Sequence, residues 1–360
     1  PAKKVKFLGR HQIFALNPSE LALLTGLKLS EIQQVINALH NIDPITREGF
    51  IHAGTDCPRS VTFLLNPDLS FKHIFLNFNS QKKGDEVIGS GSFKRVTTAV
   101  ELLSHKRFAL QSLKVTDLDI FHAETKLLDT VNSIDGFIQT VAHGLHSDKT
   151  NSKTKAHIYQ TLGKQDLFTY LDKNDLNLRP LKERLQIMQH LCKAIAEAHA
   201  QNILHRDLKP DNVLLDEHNV SYVTDLGTSL VLSDTEKRKT LAGSPGFLPF
   251  EAYQAKSYDQ LIIANDKPFD VWSLGMIFGF MFKEKLSAKY KNILYSTHND
   301  SADLKDKKNE NFLNDNAYNS NFFETILFWT LQPNPKERLP AQKLSEILEK
   351  ALQHPSIANS

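Results

Sequence analysis

The chain has 360 residues, 43 Lys and Arg against 41 Asp and Glu, a net charge of +2 and 41% hydrophobic residues. That balance suits a folded protein with a core to bury, and it lacks the basic excess of a nucleic-acid or anionic-membrane binder. Two cysteines, Cys57 and Cys192, make neither a disulfide framework nor a metal cage, which suits a reducing, cytoplasmic compartment.

Residues 1–81 read as an extension of their own. The segment "KKVK" has no apolar signal core behind it. "NPSELALLTGL" (17–27) and "LSEIQQVINALH" (29–40) carry helical spacing, the second opening on a capping box of Ser30 with Gln33. "SVTFLLN" (60–66) and "FKHIFLNF" (71–78) read as two strands of a hairpin around Asn66-Pro67-Asp68. Helices before a hairpin would also suit a winged helix-turn-helix, but residues 1–80 hold eight Lys and Arg against six Asp and Glu, not a basic DNA-binding face.

From residue 82 the texture turns to strands. "IGSGSFKRV" (88–96) starts as G-x-G-x-x and then places Lys94 where a third glycine would complete a phosphate loop. "FALQSLK" (108–114) follows as a strand and "FHAETKLLDTV" (121–131) as a helix with Glu124, Leu127 and Leu128. "LKERLQIMQHLCKAIAEAHA" (181–200) is amphipathic along Leu185, Met188, Leu191, Ile195 and Ala198. The octamer "HRDLKPDN" (205–212) comes next, then "TDLG" (224–227), "KRKTLAGSP" (237–245) and "GSPGFLPFE" (243–251). The longest apolar run, "VWSLGMIFGFMF" (271–282), is too short to cross a bilayer and reads as a buried helix. The polar, Asn-rich stretch 296–320 reads as a mobile surface insertion, and "NPKERL" (334–339) precedes the last helices.

The octamer resembles the catalytic loop of eukaryotic-type serine/threonine protein kinases almost letter for letter, and the order of the motifs around it agrees. The resemblance covers about residues 82–355. It implies an α+β, bilobal kinase fold: a small β-rich lobe with one key helix (82–160) and a large, mostly helical lobe (164–355), with the N-terminal α/β extension added. It implies ATP and Mg²⁺ as cofactors, with Mn²⁺ as a substitute, and a protein substrate presenting Ser or Thr; no nucleic-acid partner and no integral membrane segment is expected. Asp207 would take the proton of the attacking hydroxyl, and Lys209 would neutralise charge on the transferring phosphoryl group. Asn212 and Asp225 would offer oxygens to Mg²⁺. Ile88, Gly89, Gly91, Val96, Ala109, Thr161, Leu162, Asp166 and Leu214 would surround the nucleotide, and Tyr159 would guard its back pocket. Asp270 would tie to the catalytic loop, and Arg338 would pair with Glu251. Thr240 stands where many kinases carry an activating phosphate, with Arg206 to read it and with Ser233 and Thr235 as further hydroxyls. The 18 residues between Glu251 and Asp270 exceed the usual number.

One residue departs from the pattern. Aligning Ala109 with the family's V-A-I-K motif puts Gln111 where the phosphate-binding lysine, partner of Glu124, belongs. Lys114 is three positions on and faces the other side of a regular strand, whereas Lys94 is two before Val96 and shares its side. "GSFK" together with a non-lysine at position 111 is similar to the with-no-lysine kinases, and implies that Lys94 does the missing lysine's work. The alternative is a pseudokinase kept as a binding or scaffolding module. The unfamiliar extension and the Asn- and Lys-rich loops suit a bacterial effector kinase acting in a host cytosol.

Overall fold

The computed structural model describes residues 12–16, 30, 60–65, 71–77, 89–90, 94–101, 104, 106–114, 118–148, 153–172, 179–288 and 320–358. Of the two helices expected over 17–27 and 29–40, only Ser30 is described, and it is helical. Ile88, Gly91 and the expected insertion up to residue 319 lie outside the described residues.

The chain divides into two compact units, the first formed by Pro1–Lys126 and Gln139–Leu162. It contains β1 (Gln12–Leu16), β2 (Ser60–Leu65), β3 (Phe71–Asn77), β4 (Gly89–Ser90), β5 (Lys94–Glu101) and β6 (Arg107–Lys114). Helix α1 (Leu118–Val131), whose last turns group with the second unit, is followed by β7 (Thr140–Asp148) and β8 (Lys153–Thr161). The strands form one eight-stranded sheet in the order β1-β2-β3-β5-β6-β8-β7, with β4 also paired to β5. Strand β1 lies close to β7, at the other end of that order, so the sheet curls back on itself.

The sheet crosses the expected boundary at residues 81–82. Strand β4 has only two residues and covers the start of β5, Gly89 opposite Val96. The end of β5 would be an unpaired edge, and β3 takes it, with Phe75 opposite Glu101 and Leu76 opposite Val100. β2 and β3 are thus strands of the same sheet. Period-two alternation then builds a core on one face from Phe75, Ala99, Phe108, Leu110, Ala142 and Tyr159. Phe75 stacks on Tyr159 with ring centroids 4.1 Å apart and meets Phe108 edge-on at 5.6 Å.

The second unit is Leu127–Ile138 with Gly163–Ser360. Its elements begin with β9 (Gln165–Asp166), α2 (Leu167–Asp172), α3 (Leu181–Ala200), β10 (Ile203–Leu204), β11 (Val213–Leu215), β12 (Ser221–Val223) and β13 (Leu230–Val231). Helices α4 (Thr235–Arg238), α5 (Phe250–Tyr253), α6 (Tyr258–Ala264), α7 (Pro268–Met281), α8 (Ser320–Thr330), α9 (Ala341–Gln353) and α10 (Pro355–Ala358) follow. The apolar stripe of α3 is buried, and α9 packs along that helix. Helix α7 is buried on every side, as its unbroken apolar run requires. Gly275 on α7 lets α8 approach, because a Cβ there would run into the Thr330 side chain. After α1, Gly136 (φ +92°) turns the chain against α3, where a Cβ would stand 2.6 Å from that of Ala194. Among the described residues no helix is long and apolar enough to cross a membrane.

Candidate active site

Two small sheets, β12-β11-β9 and β10-β13, bracket the loops at residues 205–212 and 224–229. The anchor of the first loop is Asp270, fully buried in the first turn of α7. Its Oδ2 accepts from the backbone N–H of His205 and from His199 Nε2, both at 2.9 Å, and its Oδ1 accepts from the Arg206 N–H at 2.9 Å. Burial pushes the Asp270 carboxyl up, but the hydrogen bond and charge of His199, with His205, outweigh it and hold the group below the usual carboxylate range. These bonds hold Arg206 at φ +66°, a left-handed conformation costly for a residue with a Cβ. His205 Nδ1 accepts from the Asp207 N–H at 3.3 Å while its Nε2 donates to Thr224 O at 2.9 Å, which ties the two loops together.

On this frame stands Asp207. Its Oδ2 receives Asn212 Nδ2 at 3.0 Å and lies 3.2 Å from Lys209 Nζ. Its Oδ1 is buried and has no hydrogen-bond partner. A carboxylate oxygen held dry and unpaired, beside one fixed by two donors, is placed to accept a proton from an incoming group. Lys209 Nζ also donates to Ser244 Oγ at 2.6 Å. Asn212 Nδ2 donates to Asp207 O at 2.8 Å as well, which leaves the amide oxygen as the end able to face a cation. Asp225 precedes a short 3₁₀ turn at φ +65°, a second left-handed residue. No group of three or more His, Cys, Asp or Glu able to hold a metal occurs among the described residues. Asn212 and Asp225 carry hard oxygens of the kind a divalent ion takes.

The other nucleotide candidates divide between the units. In the first, Val96 pairs with Gln111 and Thr98 with Ala109, so Val96, Ala109 and Gln111 share a face. Lys94 pairs with Leu113 and has the strand parity of Val96, while Lys114 pairs with Lys155 and has the opposite parity to Gln111. Gln111 Nε2 donates to Gln160 Oε1, and Gln160 Nε2 donates in turn to Thr140 Oγ1 at 3.0 Å. Glu124 lies part-exposed on α1. The Thr161 N–H is taken by Gln139 O at 2.9 Å, so it is not available to a base. Leu162 follows the end of β8.

Tyr159 departs from its expected place. It is fully buried and pairs with Leu110, on the face opposite Ala109 and Gln111. Gln160, which pairs with Ala109, takes the face expected of the guarding residue. Pairing register decides this, and one position of register exchanges the two faces. In the second unit Leu214 pairs with Asp166, whose Oδ1 accepts the Thr169 N–H at 2.6 Å and so caps α2. A ribose contact would therefore fall to Oδ2.

Downstream, Glu251 and Arg338 form the expected pair, Nη1 to Oε1 and Nη2 to Oε2 both at 2.6 Å. Arg338 also stacks on Trp272, 4.9 Å from its ring centroid. Sequence reasoning missed Gln160, Asn265 and Phe75. Only the alternation around Gln111 hinted at the first, and nothing marked the other two.

The protein kinase domain profile matches residues 83–355. The phosphorylase b kinase gamma catalytic chain, liver/testis isoform, of Homo sapiens is 37% identical over 120 residues, 33% of this chain and 29% of that protein. The serine/threonine-protein kinase dkf-1 of Caenorhabditis elegans is 28% identical over 228 residues, covering 59% of this chain and 30% of the relative. The carbon catabolite-derepressing protein kinase of Saccharomyces cerevisiae is 27% identical over 205 residues, covering 56% and 30%. The chain thus spans about 30% of the length of each of these relatives.

Proposed function

The chain belongs to the protein kinase family, and from that premise we propose that it transfers the γ-phosphoryl group of ATP to a serine or threonine hydroxyl of a protein. The observation that carries the reading is Asp207, with one oxygen buried and unpaired and the other held by Asn212 and Lys209. The substrate oxygen attacks the γ-phosphorus, its proton passes to Asp207, and the bond to the β,γ-bridging oxygen breaks to leave ADP. Lys209 offsets charge on the transferring group and, through Ser244, fixes the segment a substrate would lie along. A divalent ion, Mg²⁺ in this proposal, would be held by Asn212 and Asp225 and would supply neutralisation of the phosphate charge.

Lys94 in place of the strand lysine belongs to the same proposal. Its support is the shared parity of Lys94 and Val96 and the engagement of the Gln111 amide with Gln160. An amide tied back into the sheet carries no charge for phosphates, so another cation must supply it. A pseudokinase draws on Gln111 alone, and the retention of Asp207, Lys209, Asn212 and Asp225 stands against it. Cytoplasmic action, in a host cell if the protein is a bacterial effector, completes the proposal. The test is transfer of labelled phosphate from Mg²⁺-ATP to a generic Ser/Thr substrate. Activity in the wild type that is lost in Asp207→Ala supports the reading; an inactive wild type sinks it. Phosphoproteomics with the same pair would identify the substrate.

A further inference from the structure

Arg206 is 3% exposed, and its guanidinium is already surrounded by oxygens of its own chain. Nε donates to Thr228 O at 2.7 Å, and Nη1 faces Lys237 O at 3.0 Å, Thr240 O at 3.2 Å, Thr240 Oγ1 at 3.3 Å and Asn265 Oδ1 at 3.5 Å. Asn265 ends α6, inside the long connection between Glu251 and Asp270, and is 1% exposed. Its Nδ2 donates to Arg238 O at 2.7 Å and to Thr240 O at 3.0 Å. Arg238 answers with Nε to Asn265 O at 3.1 Å and Nη2 to Ile262 O at 2.6 Å. The Thr240 hydroxyl donates to Lys237 O at 2.7 Å. Asp234 caps α4 through the Lys237 N–H at 3.0 Å.

A phosphate normally orders such a segment by giving a buried arginine an acceptor. Here backbone carbonyls and a side-chain amide already fill that role. We propose that Asn265 is a positioning residue that, with Arg206 and Arg238, holds the Thr240 segment in its working arrangement without a phosphate on Thr240. An amide is the side chain that can do this, because it accepts from Arg206 while donating to two carbonyls. Asp in its place would keep the acceptor and lose both donors. The proposal rests on the kinase reading only for its effect on activity; the ordering of the segment is a separate observable.

The test uses the full chain treated with phosphatase and checked by mass spectrometry. Hydrogen exchange at residues 237–242 should be slow in the wild type and about tenfold faster or more in Asn265→Ala, with α3 unchanged. Phosphotransfer should persist in the dephosphorylated wild type and stay within about threefold in Thr240→Val. Asn265→Ala and the near-isosteric Asn265→Asp should each lose about tenfold or more in kcat or in KM for the protein substrate, with KM for ATP unmoved. Loss of activity on dephosphorylation, or in Thr240→Val, to the level of Asp207→Ala overturns the proposal. So does unchanged exchange in both Asn265 variants. A wild type with no phosphotransfer at all refutes the kinase reading instead, and the exchange comparison still decides the role of Asn265.

Discussion

In the proposed reading, Gln111 stands where the family's strand lysine would be. Its amide bonds to Gln160 rather than carrying a charge, and Lys94 has the parity to replace it. Lys94→Ala is therefore expected to cut phosphotransfer by about 10²-fold or more, comparable to Asp207→Ala, while Lys114→Ala stays within a few-fold, as measured by labelled phosphate transfer. Lys94→Ala with wild-type activity would end the relocation idea. Adding Gln111→Lys to Lys94→Ala should restore part of the rate if the two positions serve one phosphate site. Asp270 gives a second residue-scale test. Truncation to Ala strands the N–H groups of His205 and Arg206 and the ring of His199 in a dry interior. The expected cost is about 3–5 kcal/mol, read from denaturant unfolding. Because the folded Asp270 carboxyl is depressed, its contribution is complete above the unfolded value near about pH 4 and fades as pH falls through the folded one. Wild type and Asp270→Asn should therefore converge in stability below about pH 4. That Asp207, Lys209 and Asn212 come together was legible in the sequence, because the three lie within one octamer.

At the scale of elements, β3 shows where local pattern stops. Alternation in "FKHIFLN" marks a strand, yet does not say which edge it joins. The two-residue length of β4 leaves that edge open at the end of β5, and the stack of Phe75 on Tyr159 closes it. Phe75→Ala should cost about 3–5 kcal/mol through lost area and the cavity left, with Phe75→Leu markedly milder, measured by thermal or denaturant unfolding. A loss below about 1 kcal/mol would mean that β3 does not pack on the sheet core. The same register explains Tyr159: spacing along the chain suggested a pocket residue, but its pairing with Leu110 turns it into the core.

For the whole molecule, the extension behaves as part of the first unit. A chain beginning at residue 82 would expose the outer edge of β5 and the core faces of Ala99, Phe108 and Tyr159. It should melt at lower temperature and self-associate more than the full chain, as seen by calorimetry and size-exclusion chromatography. Equal melting and a monomeric profile would show instead that the extension is dispensable to the sheet. From the sequence alone came the family, through motifs whose members are neighbours along the chain, and the burial of α7, which its unbroken apolar run requires. The tertiary structure decided which edge β3 joins, which face Tyr159 takes and what surrounds Arg206. Each depends on pairing between distant residues, Arg206 and Asn265 being 59 positions apart. Such pairings follow from strand register and from the buried demand for hydrogen-bond partners, which only the assembled chain satisfies.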